Sequence, residues 1–503
     1  MPSVSRRKFF SVASSSAAVG ATTLQQLRFP ALRAEDTKLD NSMVRFRPEI
    51  EPLVKMLEDT PREKIIDAAT ALIRSGTSYR ELLSALFLAG IRNVQPRPSV
   101  GFKFHSVLVV NSAHQASIAA KNESRWLPLL WAIDYFKSAQ ATDVKEGNWT
   151  MAAVNENRLP TASQSLIALD QAMDQWDETA ADAAAAQAAR VATSSQLLDI
   201  MARNAARDFR SIGHKSIYVA GAFRLLGVIG WEHSEPVMRS LAYAILNHSG
   251  EGNPSKSDSE ADRAGRRNWE LIRDIPDNWL AGRHDSTATL RVLQGLRELS
   301  PIDSSAMIVE MLSKEIHPRS IYDGILLASS ELVTRQPAIV PLHAVTTSNA
   351  LHYLFHSVSD DSLRRWLLLQ NASFVAHFRE AAKSREKLPE KHLDELIGSS
   401  NARTTIDGIF ANVHRDRASA AEEILQFLDA GGNAESLIGT ARELVFLKGS
   451  DSHDYKLSSA AIEDFYAMDP RWRNRYLAGC SYLLHGSSEK TTALADKVLA
   501  NSI

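Results

Sequence analysis

Hydrophobic positions recur with helical spacing along nearly the whole of this 503-residue chain. Between 63 and 74, Ile65, Ile66, Ala69, Leu72 and Ile73 share one stripe, as an amphipathic helix requires. Thr60-Pro61 reads as an N-cap followed by proline at the first helical position. After Ser75-Gly76 the pattern resumes over 79–88, so the two segments predict a helical hairpin. Pro96 and Pro98 end one element, and another is expected from about Gly101. A long helix is predicted over 163–209 with one break near Thr193–Ser195; its run 183–189 has nearly the highest helix propensity available. Further helices are predicted at 215–229, 236–247, 287–298, 303–314, 362–384, 418–429 and 456–467. The strand-like run Val107-Leu108-Val109-Val110 lies inside a helical pattern and reads as buried helix. The stretch 247–265 is polar, rich in Gly and Ser, and without apolar periodicity; it reads as a long loop or a division between two halves. No fixed-period repeat is visible, which disfavours a regular solenoid. The fold class expected is all-α: one large domain of paired antiparallel helices, with an α/α toroid as the candidate arrangement.

Charge and cysteine content then remove several function classes. Lys plus Arg (57) nearly balance Asp plus Glu (59), so there is no electrostatic case for nucleic acid or an anionic membrane. The single cysteine, Cys480, rules out an intramolecular disulfide, a thiolate metal cluster and dithiol redox chemistry. No P-loop, Gly-x-Gly-x-x-Gly, His-Glu-x-x-His or Gly-x-Ser-x-Gly motif occurs.

The N-terminus carries an address. Ser5-Arg6-Arg7-Lys8-Phe9-Phe10 resembles the bacterial twin-arginine motif, and 11–27 is small, mildly apolar and free of acidic residues. Ser, Thr and Gln interrupt that stretch too often for a membrane span, which needs about 20 predominantly apolar residues. Ala34, before Glu35-Asp36, is the expected cleavage point, although Leu32 is larger than usual at the third position before it. The reading is thus a signal peptide over 1–34 and a helical domain over 35–503, with the twin-arginine translocase as a partner. The location expected is periplasmic or otherwise exported. No stable span is expected in the mature chain, which reads as soluble. Such export moves folded proteins, often with a cofactor already inserted. The rest of the chain resembles exported proteins of bacteria with many twin-arginine signals, such as planctomycetes, which adds location and no chemistry.

Candidate chemistry rests on the 15 histidines, several inside strongly apolar helices. A histidine in such surroundings must satisfy both ring nitrogens by hydrogen bonds, a metal or a ligand. His105, His214, His233 and His343 are the catalytic candidates; His114, His352, His356 and Glu232 are the metal-ligand candidates. His352 and His356, four apart, share a helix face and suit a metal. His105 and His114 are nine apart, as are His343 and His352, and point to opposite faces of a continuous helix. A site must therefore assemble from different helices. Glu232 is placed to orient His233 or to bind a metal. Asp134, in an apolar run, is expected to pair with Lys137. Asp451-Ser452-His453-Asp454-Tyr455 reads as a helix-capping loop or a site wall. Any metal would need His and carboxylate ligands, which suits Zn, Fe, Mn or Cu.

Leu342-His343-Ala344-Val345-Thr346, taken with Phe104-His105, resembles the questin oxidase-like proteins, in which a His-Ala-Val-Thr run and isolated helix-borne histidines recur. The match covers short islands, about a tenth of the chain. It implies a largely helical oxygenase or oxidoreductase acting on an aromatic or polyketide-like ring, with His105 and His343 the positions carried over. Questin oxidation is linked to NADPH, which is not found outside the cytoplasm; that departure counts against transfer of the whole reaction. The reading favoured is an exported oxidoreductase with a histidine-lined, metal-dependent site and a small-molecule substrate. The alternatives are a non-catalytic helical binding or scaffold protein and a carbohydrate-processing α/α-toroid enzyme. The first requires the histidines to converge; the second requires them to scatter.

Overall fold

The computed structural model describes residues 42–97, 103–121, 124–246, 252–398 and 404–500. The expected signal peptide, Gly101, Pro98 and 247–251 lie outside these residues. From Val44 onward the chain forms one compact unit.

The fold is all-α. Along the chain, α1 (Glu51–Asp59), α2 (Arg62–Arg74) and α3 (Tyr79–Asn93) precede two short helices, α4 (His105–Leu108) and α5 (Val110–Ile118). Next come α6 (Leu127–Lys145), α7 (Ser165–Gln175), α8 (Glu178–Val191) and α9 (Ser194–Ala206). They lead into α10 (His214–Ile229), α11 (Ser234–Leu246), α12 (Glu260–Leu271), α13 (Ser286–Glu298) and α14 (Pro301–Ser313). Three long helices, α15 (Pro318–Arg335), α16 (Ile339–Ser357) and α17 (Asp361–Lys383), form the centre. The C-terminal part is α18 (Ile406–Asn412), α19 (Arg417–Asp429), α20 (Ala434–Lys448), α21 (Ser452–Ala467), α22 (Pro470–Cys480) and α23 (Ala493–Ala500). Among the described residues no helix is long and apolar enough to cross a membrane.

Local chemistry sets the boundaries. Ser78 and Glu81 form a capping box at the start of α3, and Thr193 with Gln196 forms another at the start of α9. The single helix expected over 163–209 is three helices. Its predicted break is present at Ala192–Thr193, and a second lies at Trp176, which adopts φ +64 and ends α7. Asp177 then caps α8 by accepting from the Ala180 N–H. The expected hairpin of 63–74 with 79–88 is not a packed pair either: α3 packs on α1 and α6, and α2 packs on α6. Part of the stretch read as loop, Glu260 to Gly265, is the first half of α12, capped by Ser259. Asp134 pairs with Arg62 at 3.0 and 2.7 Å rather than with Lys137, whose ammonium donates to the carbonyls of Leu57 and Glu58. Arg62, the first residue of α2, reaches Asp134 from that neighbouring helix, and the Leu57 and Glu58 carbonyls take Lys137.

The site lies where helices distant in sequence meet. α10 packs on α16, α16 on α21, α21 on α5, and α5 and α4 on α10, closing a ring of helices. α10, α16 and α21 each begin at one end of this ring, where their histidines meet, and touch again further along through Arg224, Asn349 and Glu463. These three helices therefore run parallel, which consecutive pairing of antiparallel helices does not anticipate.

A buried histidine cluster and candidate metal centre

Four of the five helices in the ring, α4, α10, α16 and α21, present a histidine in their first turns. His105 opens α4, His214 opens α10, His343 is the fifth residue of α16 and His453 the second of α21. All four are buried, and one ring nitrogen from each lies within 4.8 Å of the others. Nε2 of His214 is 2.8 Å from Nε2 of His343 and 3.1 Å from Nε2 of His105. The His453 ring completes the group, its centroid 4.9 Å from that of His105 and 5.1 Å from that of His343.

The outer nitrogens decide which atoms face inward. Nδ1 of His343 is 2.7 Å from the Ile339 carbonyl, which only accepts, so Nδ1 carries the proton and Nε2 the lone pair. Nδ1 of His453 is 2.5 Å from the Asp451 carboxylate and is fixed the same way. A metal-binding imidazole typically has this second-layer support: the outer N–H tied to a carbonyl or carboxylate, the inner nitrogen free to coordinate. His214 Nδ1 is buried without a hydrogen-bond partner. Without a cation, one proton on His214 Nε2 can be shared between His343 and His105. To hold a cation, His214 would need its proton on Nδ1, leaving the Nε2 lone pair as the ligand.

The surroundings favour the neutral form of three of the rings. Burial first, then repulsion from neighbouring rings and Lys456, holds His214 and His343 well below the usual imidazole range. Burial lowers His453 as well, against the opposing pull of Asp451. The helix N-termini add positive potential in the same direction. Neutral imidazole is the form that ligates metals. Lys456, one turn after His453, is buried, and its amine has no hydrogen-bond partner. Burial pushes its ammonium down to about 7.

The approach to Gly213 explains how α10 enters the ring. Gly213 has φ +79, and a Cβ there would lie 1.9 Å from Thr347 Oγ1 on α16. Only glycine permits both that conformation and that contact, and the next residue is His214.

The sequence candidates therefore divide. His105, His214 and His343 converge; His114, His233, His352, His356 and Glu232 do not, and their assignment to one common site is corrected. His114 meets the Tyr79 hydroxyl at 3.1 Å. His233 and Glu232 line a separate cavity with Arg47, Arg80 and Glu81, and Glu232 lies 3.7 Å from Arg80. His352 and His356 are 3.1 Å apart through Nε2, in a cavity about ten residues further along the helices. Among the described residues no other set of three or more His, Cys, Asp and Glu brings one ligand atom from each within 4.8 Å of the others. Three participants were missing from the candidates: His453, Asp451 and Lys456. Their sequence signal is Asp-x-His at a helix start, inside the segment 451–455 read as capping loop or site wall, with Lys456 just after it at the start of the helix predicted over 456–467.

Comparison of the chain with protein-family models, with curated proteins and with solved structures gives no match.

Proposed function

We propose that this protein is an exported, metal-dependent oxidoreductase that holds one first-row transition-metal ion through His105, His214, His343 and His453. The observation that carries the reading is the convergence of four buried imidazoles from four helix elements, with ring nitrogens within 4.8 Å. Four nitrogen donors suit Fe, Cu or Zn; Mn, which favours oxygen donors, suits them least. His105 and His343, the two positions that carry the resemblance to questin oxidase-like proteins, both belong to this cluster. Redox chemistry on an organic substrate is the class that resemblance implies, and export after folding fits insertion of a metal in the cytoplasm.

A second reading has its own observation. Four protein ligands closed away from solvent are the pattern of a structural zinc site, whereas a catalytic metal keeps a position open. Metal analysis of protein purified after export, with oxygen-consumption assays on aromatic substrates, separates the two. Near-stoichiometric Fe or Cu with substrate-dependent oxygen uptake supports the oxidoreductase. Stoichiometric Zn without such uptake supports the structural metal and sinks the oxidoreductase reading. Protein without metal, and unable to take it up, sinks both.

A further inference from the structure

A sizeable cavity lies outside the cluster. About 650 Å³ in volume and open to solvent, it is lined by α10, α15, α16 and α21 near Arg224, Tyr322, His352, Glu463 and the start of α17. Ten residues separate His214 from Arg224 and His453 from Glu463, so the cavity is ~15 Å along the helices from the histidine cluster. Its size suits a small organic ligand.

Charge around it is unbalanced. Arg224 is spent on Glu463, to which it donates at 2.8 and 2.7 Å. Asn349 also donates to Glu463, at 2.9 Å. Asp464 is fully buried behind them, bonded to Asn349 and to the Tyr476 hydroxyl at 2.9 and 2.8 Å. Arg319 and Arg364 also line the cavity, and among the described residues neither has a carboxylate at ion-pair distance. Each guanidinium makes one hydrogen bond, Arg319 to the Ala467 carbonyl at 3.3 Å and Arg364 to the Val358 carbonyl at 3.0 Å, and Arg319 also acts electrostatically on Asp323. Most of their ten N–H donors are therefore open to a ligand. Part of the wall is aromatic and apolar: the Tyr322 ring lies 4.5 Å from that of His352 and 4.8 Å from that of Phe355, inclined at 40° and 62°, and Leu280 stands exposed at the cavity.

We infer that this cavity is a second small-molecule site, separate from the histidine cluster, that binds a planar aromatic carboxylate. The guanidinium groups of Arg319 and Arg364 take the carboxylate through charge-assisted hydrogen bonds. Tyr322, Phe355 and His352 receive the ring by offset or edge contacts. A neutral ring of the same shape loses the ionic contacts, and a cationic one is repelled.

Calorimetric titration of the whole exported protein with 2-naphthoate and its neutral isostere 2-naphthamide tests this. The expected result is at least tenfold tighter binding of the naphthoate. Arg319→Ala with Arg364→Ala should abolish that preference while leaving naphthamide binding and the melting temperature unchanged. His343→Ala, in the cluster, should bind naphthoate as the unaltered protein does. Equal affinity for the two probes overturns the proposal, as does an undiminished preference in the double variant or no binding of naphthoate at all. Loss of naphthoate binding in His343→Ala but not in the double variant places the ligand at the cluster and likewise overturns it.

Discussion

Replacing His343 by alanine should remove metal-linked stabilisation while leaving the fold in place. His343 contributes Nε2 at 2.8 Å from that of His214, and its Nδ1 is anchored by the Ile339 carbonyl within its own helix. It is thus held in a ligating pose before any metal arrives, and no other side chain replaces it. A ligand that binds only the folded state stabilises it by about 4.1 kcal/mol when its free concentration is 1,000 times Kd. The compact unit spans about 460 residues, and unfolding entropy near 2.1 cal/mol/K per residue gives about 1 kcal/mol/K in all. Saturating metal should therefore raise the melting temperature of metal-stripped protein by roughly 4 °C. Scanning calorimetry, with and without a buffered excess of Zn²⁺ or Fe²⁺, reads this shift. In His343→Ala it should fall below about 1 °C, since losing one of four ligands weakens the site by orders of magnitude. His352→Ala with His356→Ala is the control: that pair lies in the other cavity, and the full shift should survive. An equal shift in the unaltered protein and His343→Ala, or loss of the shift only in the control, refutes the four-histidine assignment.

Three further outcomes follow from the same geometry. Lys456→Met should stabilise the metal-free protein by about 1–3 kcal/mol in denaturant unfolding, because it replaces a buried amine that has no partner; destabilisation would count against that reading. Gly213→Ala should lower both stability and metal content, and adding Thr347→Ala should recover the steric part, since the new Cβ meets Thr347; metal content unchanged in the single variant would be the contrary result. Asp464 is raised to about 7 by burial, so the native state holds a proton the unfolded chain has released, and stability declines as pH rises through 7. From pH 6 to 8 this group alone should cost about 1.4 kcal/mol, a slope that Asp464→Asn removes; parallel pH profiles for the two proteins would rule the shift out.

The helical class was legible because burial imposes a period on the sequence, and that period is local. Boundaries written in local chemistry were legible in part: the break at Thr193 was found, while that at Trp176 was masked by the apolar and alanine-rich positions on either side. Which helices meet is not local information. α10, α16 and α21 run parallel although their first residues, His214, Ile339 and Ser452, lie more than a hundred positions apart, and no spacing along the chain encodes that. The nine-residue separations carried one firm geometric message. His105 and His114 do part company, as do His343 and His352, and the site does assemble from different helices. His453 was passed over because its local environment already had an explanation. Asp451 caps α21, and a histidine just inside a capped helix asks for nothing more until three other rings arrive beside it.

That double use of Asp451 shows how the fold prepares the cluster. One carboxylate oxygen accepts from the His453 N–H at 2.8 Å, which starts the helix, and from His453 Nδ1 at 2.5 Å, which orients the ring. The first bond tolerates a neutral acceptor; the second gains from a full negative charge, because a cation held by Nε2 draws positive charge through the ring. Burial lowers the cost of keeping the His214, His343 and His453 imidazoles neutral, yet it raises the cost of bringing in a cation. Asp451, close enough to be felt and partly open to water, supplies compensating charge without itself being buried. Asp451→Asn should therefore leave the metal-free protein nearly as stable, since Asn is an equally good cap, while weakening metal binding ten- to a hundredfold in chelator competition. If helix stability and metal affinity fell together, Asp451 would be acting as a cap alone.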